Sequence, residues 1–408
     1  MMKHTRRYLS SAALLLAGTM ALSACSNDVV ERNSAANTTA DPRAGKIEFV
    51  GAEPDVGYTP LLETINGATQ SVDMVIYQLG DPKVQGALKD AQARGVDVRV
   101  LMTWQTFPDS SSYDPKSKKY NRNTDAFNDL EAAGIDVAWS RQEFPYTHQK
   151  SVVADAGTDS GVALITDYNY QPGYFGVIDP KYPNEGGTRG FNIKMSDPAI
   201  VAEMTRVFDA DFPPFSVGSP YSVPDLVWSP TTPQFEGEAP GNSGTVLPAL
   251  IESAQQTLDV YMLMSDPNNP QLAQLIQAAR RGVNVRVLTN CGRFVADTDV
   301  QNLRDAGAEI QFDPTSPLGA DKSLFIHTKS LIADYNTNAA VSYVGSENIF
   351  LEQSLAQLRE AGIILRDSDT IKPINQTFAT DWATSSPECS QGNAKTNDQL
   401  AKRLGMLR

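Results

Sequence analysis

From Lys46 onward this chain is written twice, and that duplication limits its possible folds more than any other feature. In the first copy a helical face, Leu61-Leu62 with Ile65, precedes the strand Ser71-Val72-Asp73-Met74-Val75-Ile76-Tyr77. A helix from Val84 to Ala93 and the strand Arg94-Gly95-Val96-Asp97-Val98-Arg99-Val100-Leu101 follow. In the second copy the helix Leu247 to Ala254 precedes Thr257-Leu258-Asp259-Val260-Tyr261-Met262-Leu263. Its next helix, Gln271 to Arg280, leads into Arg281-Gly282-Val283-Asn284-Val285-Arg286-Val287-Leu288. Leu130-Glu131-Ala132-Ala133-Gly134 is answered by Leu303-Arg304-Asp305-Ala306-Gly307, and Phe208-Asp209-Ala210-Asp211-Phe212 by Phe378-Ala379-Thr380-Asp381-Trp382. β-Branched strands alternating with helices predict an α/β fold, two similar domains each with a mixed sheet flanked by helices. A period this long denotes a duplicated domain rather than a solenoid.

The Pro-, Ser- and Gly-rich stretch Pro213 to Gly244 links the copies. Because Asp225-Leu226-Val227-Trp228-Ser229-Pro230 mirrors Lys46-Ile47-Glu48-Phe49-Val50, the domains are placed at 46–219 and 220–390. Residues 391–408 read as a polar tail carrying a short helix, Asp398 to Leu404.

Each copy contains the pattern His-x-Lys-x-x-x-x-Asp. The first is His148-Gln149-Lys150 through Asp155, the second His327-Thr328-Lys329 through Asp334. Residues two apart on a strand share a face, so each His and its Lys can point into one site. The chain has three histidines, and the third, His4, lies in a segment expected to be removed.

This duplicated pattern resembles the phospholipase D superfamily of phosphodiesterases, and Gly345-Ser346-Glu347-Asn348 is similar to that family's Gly-Ser-x-Asn extension. The resemblance spans about residues 46–388. It implies one active site at a pseudo-twofold junction, with a covalent phosphohistidine splitting one difficult step into two. His148 is implied as nucleophile and His327 as general acid, the reverse order being the alternative. Lys150, Lys329, Asn169 and Asn348, with the Ser346 hydroxyl, would cradle the phosphoryl oxygens, so that fixed donors stand in for a metal and no cofactor is needed. Asp155 and Asp334 complete the motif and are expected to hold its fold rather than touch substrate. Glu360 sits where the family often places an acid that orients a catalytic His.

The first copy departs from the pattern. Thr166-Asp167-Tyr168-Asn169 stands for Gly-Ser-x-Asn, and Thr188-Arg189-Gly190 occupies the place of the orienting acid, leaving Asp167 or Glu185 as substitutes. Between Tyr168 and Arg189 lies an insertion rich in aromatics: Tyr168, Tyr170, Tyr174, Phe175 and Tyr182. It reads either as a membrane-facing rim or, more simply, as packing that pins a long loop. Tyr77 and Tyr261 read as core-edge residues, and Arg99 and Arg286 as solvated or salt-bridged positions on buried strands.

The N-terminus places Lys3, Arg6 and Arg7 before an apolar run and Leu22-Ser23-Ala24-Cys25, which reads as a signal peptide over 1–24. Leu-Ser-Ala-Cys resembles a bacterial lipobox, implying acylation at Cys25 and a protein anchored at the extracytoplasmic face of the cell envelope. Residues 25–45 are polar and small, a tether. Cys291 and Cys389 remain, either paired, as an exported chain permits, or two buried thiols. The net charge of −14 gives no footprint for a polyanion and weighs against nucleic acid as partner, although a local basic groove would reverse this. The expected partner is a phospholipid or membrane surface. A single chain carrying both motifs is expected to act as a monomer. An exported endonuclease and a non-catalytic phosphate-binding module are the competing readings.

Overall fold

The structure, a computed structural model, describes residues 46–106, 123–178, 180, 185–218, 221–267 and 269–403. The signal peptide, Cys25 and the tether lie outside the described residues, as does Tyr182. The first copy runs β1 (Ile47–Glu53), α1 (Thr59–Gly67), β2 (Ser71–Ile76), α2 (Pro82–Ala93), β3 (Asp97–Met102), α3 (Thr124–Ala132) and β4 (Asp136–Trp139). It continues with β5 (Ser151–Ala154), β6 (Val162–Thr166), a 3-10 turn (Pro172–Phe175), β7 (Glu185–Met195) and α4 (Pro198–Asp211). The second runs β8 (Leu226–Ser229), α5 (Ser243–Ser253), β9 (Thr257–Tyr261), α6 (Pro270–Arg280), β10 (Asn284–Thr289), α7 (Asp297–Asp305) and β11 (Glu309–Phe312). After β12 (Thr315–Ser316) and β13 (Gly319–Ile326) come β14 (Lys329–Ala333), β15 (Val341–Gly345), α8 (Glu352–Gln357), β16 (Glu360–Leu365), α9 (Ser368–Thr384) and α10 (Gln391–Arg403).

Local chemistry marks the helix starts. Asp81, Asp197 and Asn269 each accept two main-chain N–H bonds at the head of α2, α4 and α6, and each is followed by a Pro whose missing N–H costs nothing there. The helices α2 and α6 both stop before a glycine with positive φ, Gly95 and Gly282, which closes the turn into the next strand.

The two sheets have the same strand order. One reads β1-β7-β6-β5-β2-β3-β4 and the other β8-β16-β15-β14-β9-β10-β11, so strand by strand the duplication is exact in topology. The first sheet gains two further strands from the second copy: β13 pairs parallel with β7, and β12 with β13. The second copy thus contributes strands to the first sheet, and both halves form one compact unit.

One apolar layer joins the sheets. It combines Ile165, Phe191 and Ile193 from the first with Ile332, Val344 and Ile363 from the second, and Met204 of α4 with Ile374 and Phe378 of α9. The outer face of each sheet is covered by its own helices. Arg99 and Arg286 pair with Asp73 and Asp259 on the neighbouring strand, and their guanidinium groups lie over Phe208 and Phe378.

Three sequence expectations are refined. Tyr168, Tyr170, Tyr174 and Phe175 are buried and pack together, so these four aromatics pin the loop and form no exposed rim. Cys291 and Cys389 are joined as a disulfide. The C-terminal helix begins at Gln391, earlier than Asp398, and it is docked: Leu400 and Ala401 are buried beside Phe294 and Phe325.

Candidate active site

Each His sits just before, or at the bend into, a central strand, and the fold fixes it from three sides. At the far end of the motif, Asp155 and Asp334 leave β5 and β14 with positive φ. Their carboxylates accept the main-chain N–H groups of Thr69, Gln70 and Ser71 and of Gln255, Gln256 and Thr257. Burial opposes ionisation of Asp155, but the N–H bonds from Gln70, Thr69 and Ser71 outweigh it and hold the carboxyl below its usual range. These two residues, counted above with the motif, therefore fold it and take no place in the cleft.

At the near end, the copies brace each other. His148 and Gln149 donate their N–H groups to the carbonyl of Arg359 at 2.8 and 3.0 Å, while His327 and Thr328 donate to that of Arg189 at 3.2 and 3.0 Å. Each arginine is fully buried and held by a carboxylate from the helix that ends the other copy. Arg189 binds Asp381 through Nε and Nη2 at 2.8 and 2.7 Å, and Arg359 binds Asp211 through the same atoms at 2.8 and 3.2 Å. A third hold acts on the residue before each His: Thr147 N donates to Thr103 Oγ1 at 3.1 Å, and Ile326 N to Asn290 Oδ1 at 2.7 Å.

The result is one cleft of about 360 Å³ lined by both His148 and His327, both Asn169 and Asn348, and Tyr77, Tyr146, Leu263, Met264, Phe294, Leu351 and Leu358, with Ser265, Asp266, Arg293 and Gln353. The Tyr77 ring stands edge-on to His148 at 4.8 Å between centroids, so this residue lines the site instead of the core edge. Tyr174, from the insertion, stands likewise against His327 at 5.1 Å. Tyr261 stays in the core, donating to Asp381 at 2.7 Å.

The lysines lie behind their histidines. Lys329 Nζ donates to the His327 carbonyl at 2.6 Å and lies 3.0 Å from its Nδ1; Lys150 Nζ donates to the His148 carbonyl. Burial pushes the Lys329 ammonium down to about 7, against the pull of Asp167 and Glu360. Burial, then Lys329, also lowers Lys150 well below its ordinary value. Both imidazoles are pushed far down by burial and by the two lysines, so in the empty cleft they are neutral. The buried side-chain oxygens of Asn169 and Asn348 have no hydrogen-bond partner. Two imidazoles and the Asn169 and Asn348 side chains on the wall, with two lysines behind the histidines, make a donor-bearing space that fits a phosphoryl group.

The two histidines differ in what orients them. Glu360 Oε1 meets His148 Nδ1, and its other oxygen accepts from Ser354. Burial, then Glu347, pushes the Glu360 carboxyl well above its ordinary range. In the first copy the matching position is Gly190, and the Tyr168 ring fills the space a side chain would need. His327 Nδ1 meets the main-chain carbonyl of Asp167 at 2.9 Å, while the Asp167 carboxylate is engaged by Phe191 N and Thr328 Oγ1. Asp167 thus takes the orienting place through its backbone, and Glu185 lies at the start of β7 in register with Ser323. Ser346 is corrected as well: its hydroxyl is bound to the Ala361 main chain and does not line the cleft, while its main chain meets the His148 ring.

Arg189, Arg359, Asp211, Asp381, Thr103 and Asn290 were not identified from sequence as supports of the site. Arg189 matches Arg359 and Asp211 matches Asp381 in the two copies, a signal that aligning the duplicate against itself brings out. Thr103 and Asn290 also match, but differ in residue type.

A family model described as "Cardiolipin synthase, PLD-like domain" matches residues 61–212 and 247–382. No curated protein sequence matches the chain. Among solved structures, a phosphatidylserine synthase from Haemophilus influenzae superposes with a TM-score of 0.59 at 12% identity, over 89% of this chain and 95% of that one. A polyphosphate kinase from Porphyromonas gingivalis superposes with a TM-score of 0.57 at 14% identity, over 88% of this chain. The match spans 56% of the length of that kinase.

Proposed function

Because the chain belongs to the phospholipase D superfamily, whose members are phosphodiesterases and phosphotransferases, we propose that it releases or exchanges phospholipid head groups through a covalent phosphohistidine. The observation that carries this is the meeting of two neutral imidazoles, one from each copy, in a single cleft backed by two lysines. His148 Nε2, its ring held by Glu360, attacks phosphorus as the bond to the head-group oxygen breaks. That oxygen takes a proton from His327, which the incoming anion has favoured in its protonated form. Water, or an acceptor alcohol, then gives its proton to His327 and attacks phosphorus, releasing phosphatidic acid or a new diester and freeing His148. Lys150, Lys329, Asn169 and Asn348 hold the non-bridging oxygens throughout, without need of a metal.

The lipid reading is supported by the apolar wall of Leu263, Met264, Phe294, Leu351 and Leu358 beside the histidines, and by the net charge of −14. In this reading Cys25 carries acyl chains that hold the enzyme at a membrane, a point that radiolabelled palmitate incorporation tests directly. The deciding assay offers the protein phosphatidylcholine micelles and single-stranded DNA, each with chelator present. Choline release without DNA cleavage is expected; DNA cleavage alone would replace the lipid reading with the endonuclease one, and binding of phosphate without any turnover would leave a binding module.

A further inference from the structure

We infer that Glu347, the third residue of Gly345-Ser346-Glu347-Asn348, is a positioning residue that takes up a proton when a phosphodiester enters the cleft. The inference deepens the reading above and rests on it. Glu347 is wholly buried, flanked by Ser346, which is bound to Ala361, and by Asn348, which lines the cleft. Its Oε2 accepts from the Tyr343 hydroxyl, while Oε1 is buried with no hydrogen-bond partner. Tyr343 reaches it by lying across Gly345 and Gly362, where any Cβ would collide with the phenol. A half-satisfied carboxylate in such a place is costly, so its presence calls for a cause.

The charged and titratable groups acting on it come from three strands: Lys150 at the head of β5, Tyr343 on β15 and Glu360 on β16. Burial pushes Glu347 up to about 7, against the Tyr343 bond, its own main-chain N–H, Lys150 and the Ser346 N–H. The matching residue in the first copy is Tyr168, so this carboxyl exists only on the His148–Glu360 side of the site. A diester arriving beside the lysines brings a further negative charge into a space poor in water. The groups that offset it at least cost are those whose proton affinity already stands near neutrality, Lys329 beside the histidines and Glu347 beneath Asn348. Glu347 then takes a proton from solvent, Lys150 is left to the phosphoryl oxygens, and Glu360 to His148. The proton returns to solvent when product leaves.

The test is an infrared titration of carboxyl bands in the whole protein, free and with dimethyl phosphate, a diester that does not titrate in this range. The parent is expected to show a buried carboxyl with a midpoint near 7 that moves upward when the diester binds. Glu347→Gln, which keeps an acceptor for Tyr343, should lose that band and its diester-linked shift. Tyr343→Phe removes a bond that favours the ionised form, so it should move the midpoint to higher pH; a purely structural Glu347 would show no shift with the diester. Survival of the band in Glu347→Gln, or no diester-linked shift of it in the parent, overturns the inference. Because this readout needs no turnover, absence of cleavage would sink the phosphodiesterase reading separately.

Discussion

His148 and His327 make unequal partners because both rings meet the main chain of matching residues, Ser346 and Asp167, but only His148 also meets a carboxyl group. In the proposed reading the extra carboxyl makes His148 the nucleophile, since positive charge developing on its ring draws Glu360 toward the ionised form, an effect a peptide oxygen cannot supply to His327. Either His→Ala change is expected to lower lipid turnover by about 10⁴-fold or more. With bis(p-nitrophenyl) phosphate, whose leaving group needs no protonation, His327→Ala should still accumulate an acid-quenched phosphohistidine while His148→Ala yields none. A trapped adduct in His148→Ala would reverse the assignment. The lysines add a pH dependence. Lys329 is cationic below about 7 and neutral above it, so KM for an anionic diester should climb as pH rises through that value. The kcat should hold to higher pH, because bound anion favours the charged ammonium. A KM that is flat between pH 6 and pH 9 would remove Lys329 from the phosphate clamp.

Among the elements, α4 and α9 do more than cover a sheet. Each ends in the aspartate that holds the other copy's arginine, and through that arginine the main chain leading to a histidine. Truncating Asp381 to Ala leaves Arg189 buried with only Asp55 and the Glu53 carbonyl as partners. Removing one partner of a buried pair costs about 3–5 kcal/mol, which a denaturant titration would register. Turnover should fall beyond what the lost stability explains, because the Arg189 carbonyl receives the His327 N–H. The repeated strands, the helices and both His-Lys pairs were legible in the sequence because periodicity and residue type encode them locally. The brace was not, since Asp211 and Arg359 are far apart in the chain and each alone looks like a surface charge. Residue type alone pairs Tyr77 with Tyr261, whereas register matches it to Leu263, which also lines the cleft. Gly190 was recognised as a missing acid, but no pattern could reveal that the Tyr168 ring fills its place.

For the whole molecule, the duplication makes a site that neither copy owns, and the C-terminal helix backs one of its walls. The loop after β10 bears Asn290, which holds the strand before His327, and Arg293 and Phe294, which line the cleft. That loop is fastened to α10 by the Cys291–Cys389 bond, by Asn397 donating to the Cys291 carbonyl at 3.1 Å and to Asp313 at 2.8 Å, and by Arg293 with Asp398 at 3.2 Å. Leu400 and Ala401 then bury Phe294 from behind. The two cysteines lie 98 residues apart, and closing a loop of that length stabilises by about 4–5 kcal/mol in the chain-entropy model. Changing both to Ala should lower the unfolding free energy by a comparable amount, with reductant producing the same loss in the parent and none in the variant. Since α10 supports the apolar wall and not the histidines directly, the variant should lose more kcat/KM on micellar phospholipid than on bis(p-nitrophenyl) phosphate. Equal losses on the two substrates would mean that the Phe294 wall takes no part in holding the lipid, and the acyl side of the cleft would have to lie elsewhere.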